Sequence, residues 1–189
     1  LIMDLAGVSI LLGVRMAFFR RFVLRPKTLE TRWDDTYALI LLTLIPLFGF
    51  TTESFRLLSA NPQWAVWSPV GNALASLWRS LGMTPETGAS LHDAMVVVHA
   101  TFALALVASI PFTKLRHLVN TPLNVILHPR REYGALDKIE NIEETELLGV
   151  GKVTEFTSQQ LLSFDACLQC GRCEEACPST FSGMPYSPR

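Results

Sequence analysis

Apolar positions in this chain gather into three long runs rather than alternating with polar ones. The first covers Leu5 to Phe19, the second Thr36 to Phe55 and the third Ala94 to Phe112. A helix needs about 20 apolar residues to cross some 30 Å of hydrocarbon, and the last two runs meet that length. Pro46 and Gly49 fall inside the second run. Membrane helices tolerate both residue types, so neither breaks the expected span. Arg15 is the charge inside the first run, close enough to its basic end for the side chain to reach the interface. The alternative is three buried helices of a large soluble protein. It has to explain runs of this length with almost no internal charge.

Polar positions then order the runs. Arg20, Arg21, Arg25, Lys27 and Arg32 follow the first, and Lys114, Arg116, Arg130 and Arg131 follow the third. The 56–91 connection carries only Arg56 and Arg79, together with Trp64, Trp67 and Trp78. Positive charge concentrates on the cytoplasmic side, and tryptophan marks an interface. The expected path is therefore out-to-in, in-to-out and out-to-in, with 71–83 forming a short helix along the outer membrane surface. Residues 130–156, acidic at Glu140, Glu143, Glu144 and Glu146, read as a linker leaving the membrane. Thr157 to Gln160 has the spacing of a capping box, and Leu161, Leu162 and Phe164 give the helix behind it an apolar side.

Composition adds little to this pattern. The sequence is 49% hydrophobic and 17% charged, with a formal net charge of −1, which gives no footing for nucleic acid. Nothing in it marks a hydrolase or a transferase. The opening at Leu1 is already apolar and lacks a charged leader, so it is no signal peptide. Both ends read as internal to a longer protein.

The four cysteines carry the chemistry. Cys167, Cys170, Cys173 and Cys177, followed by Pro178, form C-x2-C-x2-C-x3-C-P, the bacterial ferredoxin run that binds [4Fe–4S] clusters. Zinc sites use two separated pairs instead, and there is no second pair. In two-cluster ferredoxins the fourth cysteine serves the other cluster. Either Cys167, Cys170 and Cys173 hold one cluster while Cys177 belongs to a second, or all four close a single one. Crowding within eleven residues argues against a disulfide framework.

Histidine supplies the second set of candidates. His99 lies within the third run and His117 just past it. Their separation of 18 residues is five turns of a continuous helix, about 27 Å, which would place both on one face. Two imidazoles at two depths suit two b haems, with Lys114 and Arg116 near the inner one. A helix–helix hydrogen bond for His99 and an interfacial position for His117 are the plainer readings. His92 suits an interfacial or quinone-site role, and His128, before Pro129, a loop.

The stretch Ile110-Pro-Phe-Thr-Lys-Leu-Arg-His117, with His99 eighteen residues earlier, resembles the last span of the respiratory nitrate reductase gamma subunit family. The resemblance implies a five-span, dihaem, quinol-handling cytochrome b of which three spans are present. It also implies that His99 and His117 ligate one b haem each, the opposing ligands coming from an earlier helix. Phe164-Asp-Ala-Cys167 through Cys177-Pro178 to Gly183-Met-Pro-Tyr-Ser-Pro-Arg189 resembles heterodisulfide reductase-related iron–sulfur proteins. Fusion of the two parts is typical of membrane-bound electron-transfer flavoprotein:menaquinone oxidoreductases.

The expected architecture is an all-α membrane protein. Its parts are a transmembrane bundle (1–129), a linker (130–156) and the start of a ferredoxin-like [4Fe–4S] module (157–189). The expected function is electron relay at the cytoplasmic membrane between iron–sulfur clusters and menaquinone through two b haems. A cytoplasmic partner such as an electron-transfer flavoprotein would exchange electrons with it. Two rival readings are the membrane arm of a heterodisulfide-type reductase and a non-catalytic wiring subunit of a larger respiratory or photosynthetic complex.

Overall fold

A computed structural model describes residues 1–27, 29–129 and 149–184. The acidic stretch at 137–146, Arg130, Arg131 and the last five residues lie outside the described residues. Three helices are long and apolar enough to cross a membrane: Ile2–Leu24, Trp33–Ala60 and Pro85–Phe112. Each extends beyond the apolar run that announced it, the second at both ends and the third at its N-terminal end through polar turns. Helix α1 (Ile2–Phe18) continues into a π-helical turn, Phe19–Leu24, that stops where Arg25 enters the left-handed region. Helix α2 (Trp33–Ala60) begins with Asp34 and Asp35 in its first turn, where the helix dipole favours anions. It runs through Pro46 and ends at Asn61, also left-handed, which closes on the Leu57 carbonyl. Helix α4 (Pro85–Ser109) starts from Thr84, whose hydroxyl accepts from the Thr87 amide, with Pro85 in the first position.

Helices α1, α2 and α4 form an antiparallel bundle in which α2 is central. Gly7 of α1 faces Phe50 of α2, and a Cβ there would lie 2.6 Å from the ring. Phe48 of α2 stacks on Phe102 of α4 at 5.2 Å between centroids. The Tyr37 hydroxyl donates to the Ala105 carbonyl at 3.4 Å. Several threonine hydroxyls inside the spans are satisfied within their own helix. Thr43 donates to the Leu39 carbonyl at 2.7 Å and Thr101 to the Val97 carbonyl at 2.8 Å, as an apolar solvent demands. Many apolar side chains on the spans point outward, Leu104 being 68% exposed. That is the opposite of three helices buried in a soluble core, and it is the arrangement that lipid or neighbouring spans require.

The tight packing sits at the tryptophan end. Between α2 and α4 the chain makes one 3-10 turn, Gln63–Trp67, and helix α3, Pro69–Ser80. Phe55, Leu57, Leu58, Ala65 and Ala75 are buried together there, with Trp78, Met83, Leu91 and Met95 around them. The Trp78 indole donates to Ser54 Oγ at 3.0 Å, and Ser54 donates to the Thr51 carbonyl at 2.7 Å, so the buried hydroxyl is satisfied. Asp4, itself buried, reaches across from α1 and accepts from the Val70 amide at 2.8 Å, capping α3 from another helix. The bounds of helix α3 match those expected for a short helix at 71–83 within two or three residues at each end. Leu57 is fully buried at the centre of this cluster. We expect Leu57→Ala to cost about 2–5 kcal/mol and to lower the thermal midpoint of the detergent-solubilised protein. An unchanged midpoint would show that the cluster does not hold the bundle together.

The expected continuous helix between the histidines is corrected by the structure. Helix α4 stops at Ser109 and gives way to a 3-10 turn, Ile110–Phe112, and Thr113 is extended at φ −127° and ψ 176°. A second 3-10 turn, Lys114–Arg116, leads into helix α5, His117–Ile126. The cause is local: Pro111 brings no amide hydrogen and crowds the preceding turn. Thr113 then replaces helical bonds with its hydroxyl, donating to the Ser109 carbonyl at 2.9 Å and accepting from the Leu115 amide at 3.3 Å. The five-turn phase relation between His99 and His117 therefore does not hold.

From residue 149 to 184 the described chain is helical or irregular, with no strand. A 3-10 turn at Val153–Glu155 precedes helices α6 (Ser158–Asp165), α7 (Arg172–Glu175) and α8 (Pro178–Phe181). The capping box forms as its spacing predicts: Gln160 Oε1 accepts from the Thr157 amide at 2.9 Å, and Thr157 Oγ1 from the Gln160 amide at 3.3 Å. Helix α6 lies on α5. Gln159 Nε2 donates to Asn124 Oδ1 at 2.6 Å, and Arg116 pairs with Asp165 at 3.0 Å.

Candidate functional site: paired histidines and a cysteine loop

His99 projects from α4 toward α2. Its Nδ1 lies 3.1 Å from the Ile45 carbonyl oxygen. A carbonyl only accepts, so Nδ1 carries the hydrogen and Nε2 keeps its lone pair. Gly49 makes room for the ring: a Cβ there would come within 3.3 Å of His99 Cε1. The ring lines a cleft of about 650 Å³ between α1, α2 and α4, with Gly7, Ile10, Pro46 and Phe50 among its walls. That volume falls in the range of cofactor sites. Its polar mouth, at the tryptophan end, carries Asp4, Glu53, Arg56, Ser68 and His92. Glu53 and Arg56 are ion-paired at 2.7 Å, and the guanidinium lies 4.8 Å from the Trp64 ring centroid. His92 thus belongs to the mouth of the His99 cleft, beside Asp93 at 3.2 Å.

His117 repeats the arrangement at the basic end. Its Nδ1 lies 2.6 Å from the Lys114 carbonyl oxygen, which again leaves Nε2 free to bind a metal. This bond is local, three residues back, and follows from the break at Thr113 that turns the Lys114 carbonyl toward the ring. Around it the chain is tied by charge. Asp35 pairs with Arg21 and with Lys114 Nζ, the latter at 2.8 Å, and it accepts from the Arg32 amide at 2.9 Å. Asp34 Oδ2 accepts from the Lys114 amide at 3.3 Å. His128, past the end of α5, is exposed.

Both histidines therefore present the donor set an axial haem ligand needs: a tautomer fixed by a backbone carbonyl and an unengaged Nε2. The residues fit the group that the sequence implies. Neither carries an acidic hydrogen-bond partner.

The cysteine loop is less assembled. Cys167 and Cys173 are exposed, Cys170 and Cys177 partly so, and all four are free thiols. Among the described residues no three His, Cys, Asp or Glu side chains converge as they would on a single metal ion. Thiolates that surround an inorganic cube bind separate irons on its outside and need no common point, so the spacing argument is unaffected. The backbone turns tightly between the cysteines. Gly171 is left-handed at φ 76° and Gln169 at φ 54°, and the Gln169 amide donates to Cys167 Sγ at 3.4 Å. Gly171 is where the turn requires glycine, since most side chains are disfavoured there. The backbone amide of Ser179 hydrogen-bonds the Cys177 sulfur and holds its thiol below the usual range, which favours the metal-binding thiolate. A polar cleft of about 180 Å³ joins the loop to the bundle, lined by Arg32, Asp34, Lys114, Arg116, Asp165, Cys167 and Gln169. The cysteine segment thus rests on the structure that presents His117.

With this geometry in place, the comparison with known families becomes specific. A family model described as nitrate reductase gamma subunit matches residues 2–134, the three spans with both histidines. The chain belongs to the nitrate reductase gamma subunit family. It is also 31% identical over its whole length to an EtfAB:quinone oxidoreductase of Syntrophomonas wolfei, covering 27% of that protein. To the probable iron–sulfur-binding oxidoreductase FadF of Bacillus subtilis it is 30% identical over 98% of its length, covering 26% of that protein. A probable membrane-anchored ferredoxin of Chromohalobacter salexigens is 57% identical over 42 residues, 22% of this chain and 6% of that one. The chain thus spans about a quarter of the length of the curated relatives it matches from end to end. No solved structure matches significantly.

Within the family frame, two features escaped sequence reasoning. One is Gly49, visible only as a glycine inside an apolar run. The other is the acidic pair Asp34–Asp35, which had one usable signal: two adjacent acids opening a span directly after a basic loop.

Proposed function

We propose that this chain is the membrane part of a quinone-linked oxidoreductase. In this reading it relays electrons between a cytoplasmic iron–sulfur module and menaquinone through two b haems. The observation that carries it is the matched pair of histidines, each with Nδ1 committed to a carbonyl and Nε2 available. When bound, iron supplies the one-electron chemistry. The chain supplies the ligands and an apolar surround that limits water. His99 belongs to one haem and His117 to the other; Cys167, Cys170 and Cys173 belong to a [4Fe–4S] cluster, and Cys177 to a second. The mouth of the His99 cleft, with His92 and Glu53, offers groups able to exchange the protons that quinone chemistry moves. The names of the two full-length relatives support the oxidoreductase reading, and an electron-transfer flavoprotein is the proposed cytoplasmic partner. Residues 1–129 then form the membrane domain, 130–156 the linker and 157–189 the start of the iron–sulfur domain, on the cytoplasmic side.

The test uses right-side-out vesicles containing the complete protein. A membrane-permeant menaquinol analogue should reduce the b-type absorbance. An impermeant maleimide should leave the native cysteines of this chain unlabelled but label Leu81→Cys, at an exposed position of the tryptophan end. Absence of any quinol-dependent spectral change would remove the quinone link. Labelling of the native cysteines from outside would reverse the topology.

A further inference from the structure

We propose that Asp34 and Asp35 are positioning residues for His117, acting through Lys114; this rests on the reading of His117 as a haem ligand. The two acids open α2, where ordinary helix capping would account for them. Part of their bonding is of that kind: Asp34 Oδ1 accepts from the Asp35 amide at 3.1 Å, and Asp35 Oδ2 from the Arg32 amide at 2.9 Å. The rest goes elsewhere. Asp34 takes the Lys114 amide, 80 residues away, and Asp35 takes the Lys114 ammonium at 2.8 Å. One residue is thereby held at its backbone and at the tip of its side chain by two neighbouring carboxylates.

Lys114 is the residue whose position matters to the ring. Its carbonyl receives the His117 Nδ1 hydrogen at 2.6 Å. It also sits in the irregular stretch between α4 and α5. Extended Thr113 precedes it, Pro111 and Pro122 flank it, and the Lys114–Arg116 turn is three residues long. The break at Thr113 turns the Lys114 carbonyl toward the ring, but three residues of 3-10 turn do not fix Lys114 against the neighbouring helix. The clamp does, and it is largely screened from water: the side chains of Lys114 and Asp35 are 11% and 10% exposed. Anions this sheltered are costly unless paired, so the ion pairs are constrained to persist. Arg21, in the π-helical turn that continues α1, joins Asp35 and ties that helix to the same point.

Groups behind a metal-bound histidine typically change affinity by 10–100-fold when lost. Asp35 stands one residue further back, so the low end applies. The experiment uses the complete protein in membranes, with His99→Ala as background so that only the inner haem signal remains. Asp35→Asn should lower inner-haem occupancy about tenfold at limiting haem and shift its low-spin EPR signal. Asp35→Glu should recover most of both. Lys114→Met should reproduce Asp35→Asn, and Asp34→Asn should do so more weakly. Wild-type occupancy and EPR in Asp35→Asn, or in Lys114→Met, would overturn the proposal. So would an equal loss of the outer signal when Asp35→Asn is placed in a His117→Ala background, because the acids would then support the whole bundle. If His117→Ala alone keeps both haem signals, the ligand assignment beneath the proposal fails, a result distinct from a silent Asp35→Asn.

Discussion

On the proposed reading, we expect His99→Ala to remove one of two b-type haem signals and leave the second, and His117→Ala to do the reverse. The expectation follows from the valence of each ring. A carbonyl oxygen occupies each Nδ1, so each histidine has one nitrogen left and can serve one iron. His99 meets α2 at Ile45, and the Lys114 that holds His117 meets it at Asp34 and Asp35, about 15 Å away along that helix, so two irons rather than one suit ligands that bind at about 2 Å. Loss of a neutral hydrogen bond costs only about 1 kcal/mol, so the bundle should survive each substitution and the surviving signal reports the fold. Optical difference spectra of the complete protein measure both outcomes. Two haems with unchanged spectra in both variants would make the histidines structural.

On the same reading, substitution of Cys170 by serine is expected to abolish the low-temperature EPR signal of one [4Fe–4S] cluster. Cys167→Ser and Cys173→Ser do the same, because the C-x2-C-x2-C spacing makes the three thiolates a single chelating unit. Cys177→Ser separates the two readings of the motif. Retention of that first cluster with loss of another assigns Cys177 to a second cluster, as proposed. Loss of all cluster iron from the segment joins the four cysteines around one. A zinc-only preparation, with no acid-labile sulfide, would end the iron–sulfur assignment altogether.

What the sequence could and could not reveal divides along chain distance. The spans were legible because the bilayer imposes a length on any helix that crosses it, and hydropathy records that length locally; Pro46 changed nothing, as expected of a membrane helix. The capping box at Thr157 and Gln160 was legible for the same reason, being a contact among near neighbours. The choice of His99 and His117 rested on position and on family resemblance. Their shared helical face did not survive, since Pro111 and Thr113 break the helix between them. The sequence by itself determined where the chain enters and leaves an apolar phase and which side chains are available to bind metal, because both are set by local composition. Only the tertiary structure decided how those side chains are held. His99 takes its hydrogen-bond partner from 54 residues away, and Asp34 and Asp35 reach Lys114 across about 80. Such partners are chosen by the antiparallel packing of α2 against α4, and no periodicity along the chain encodes that.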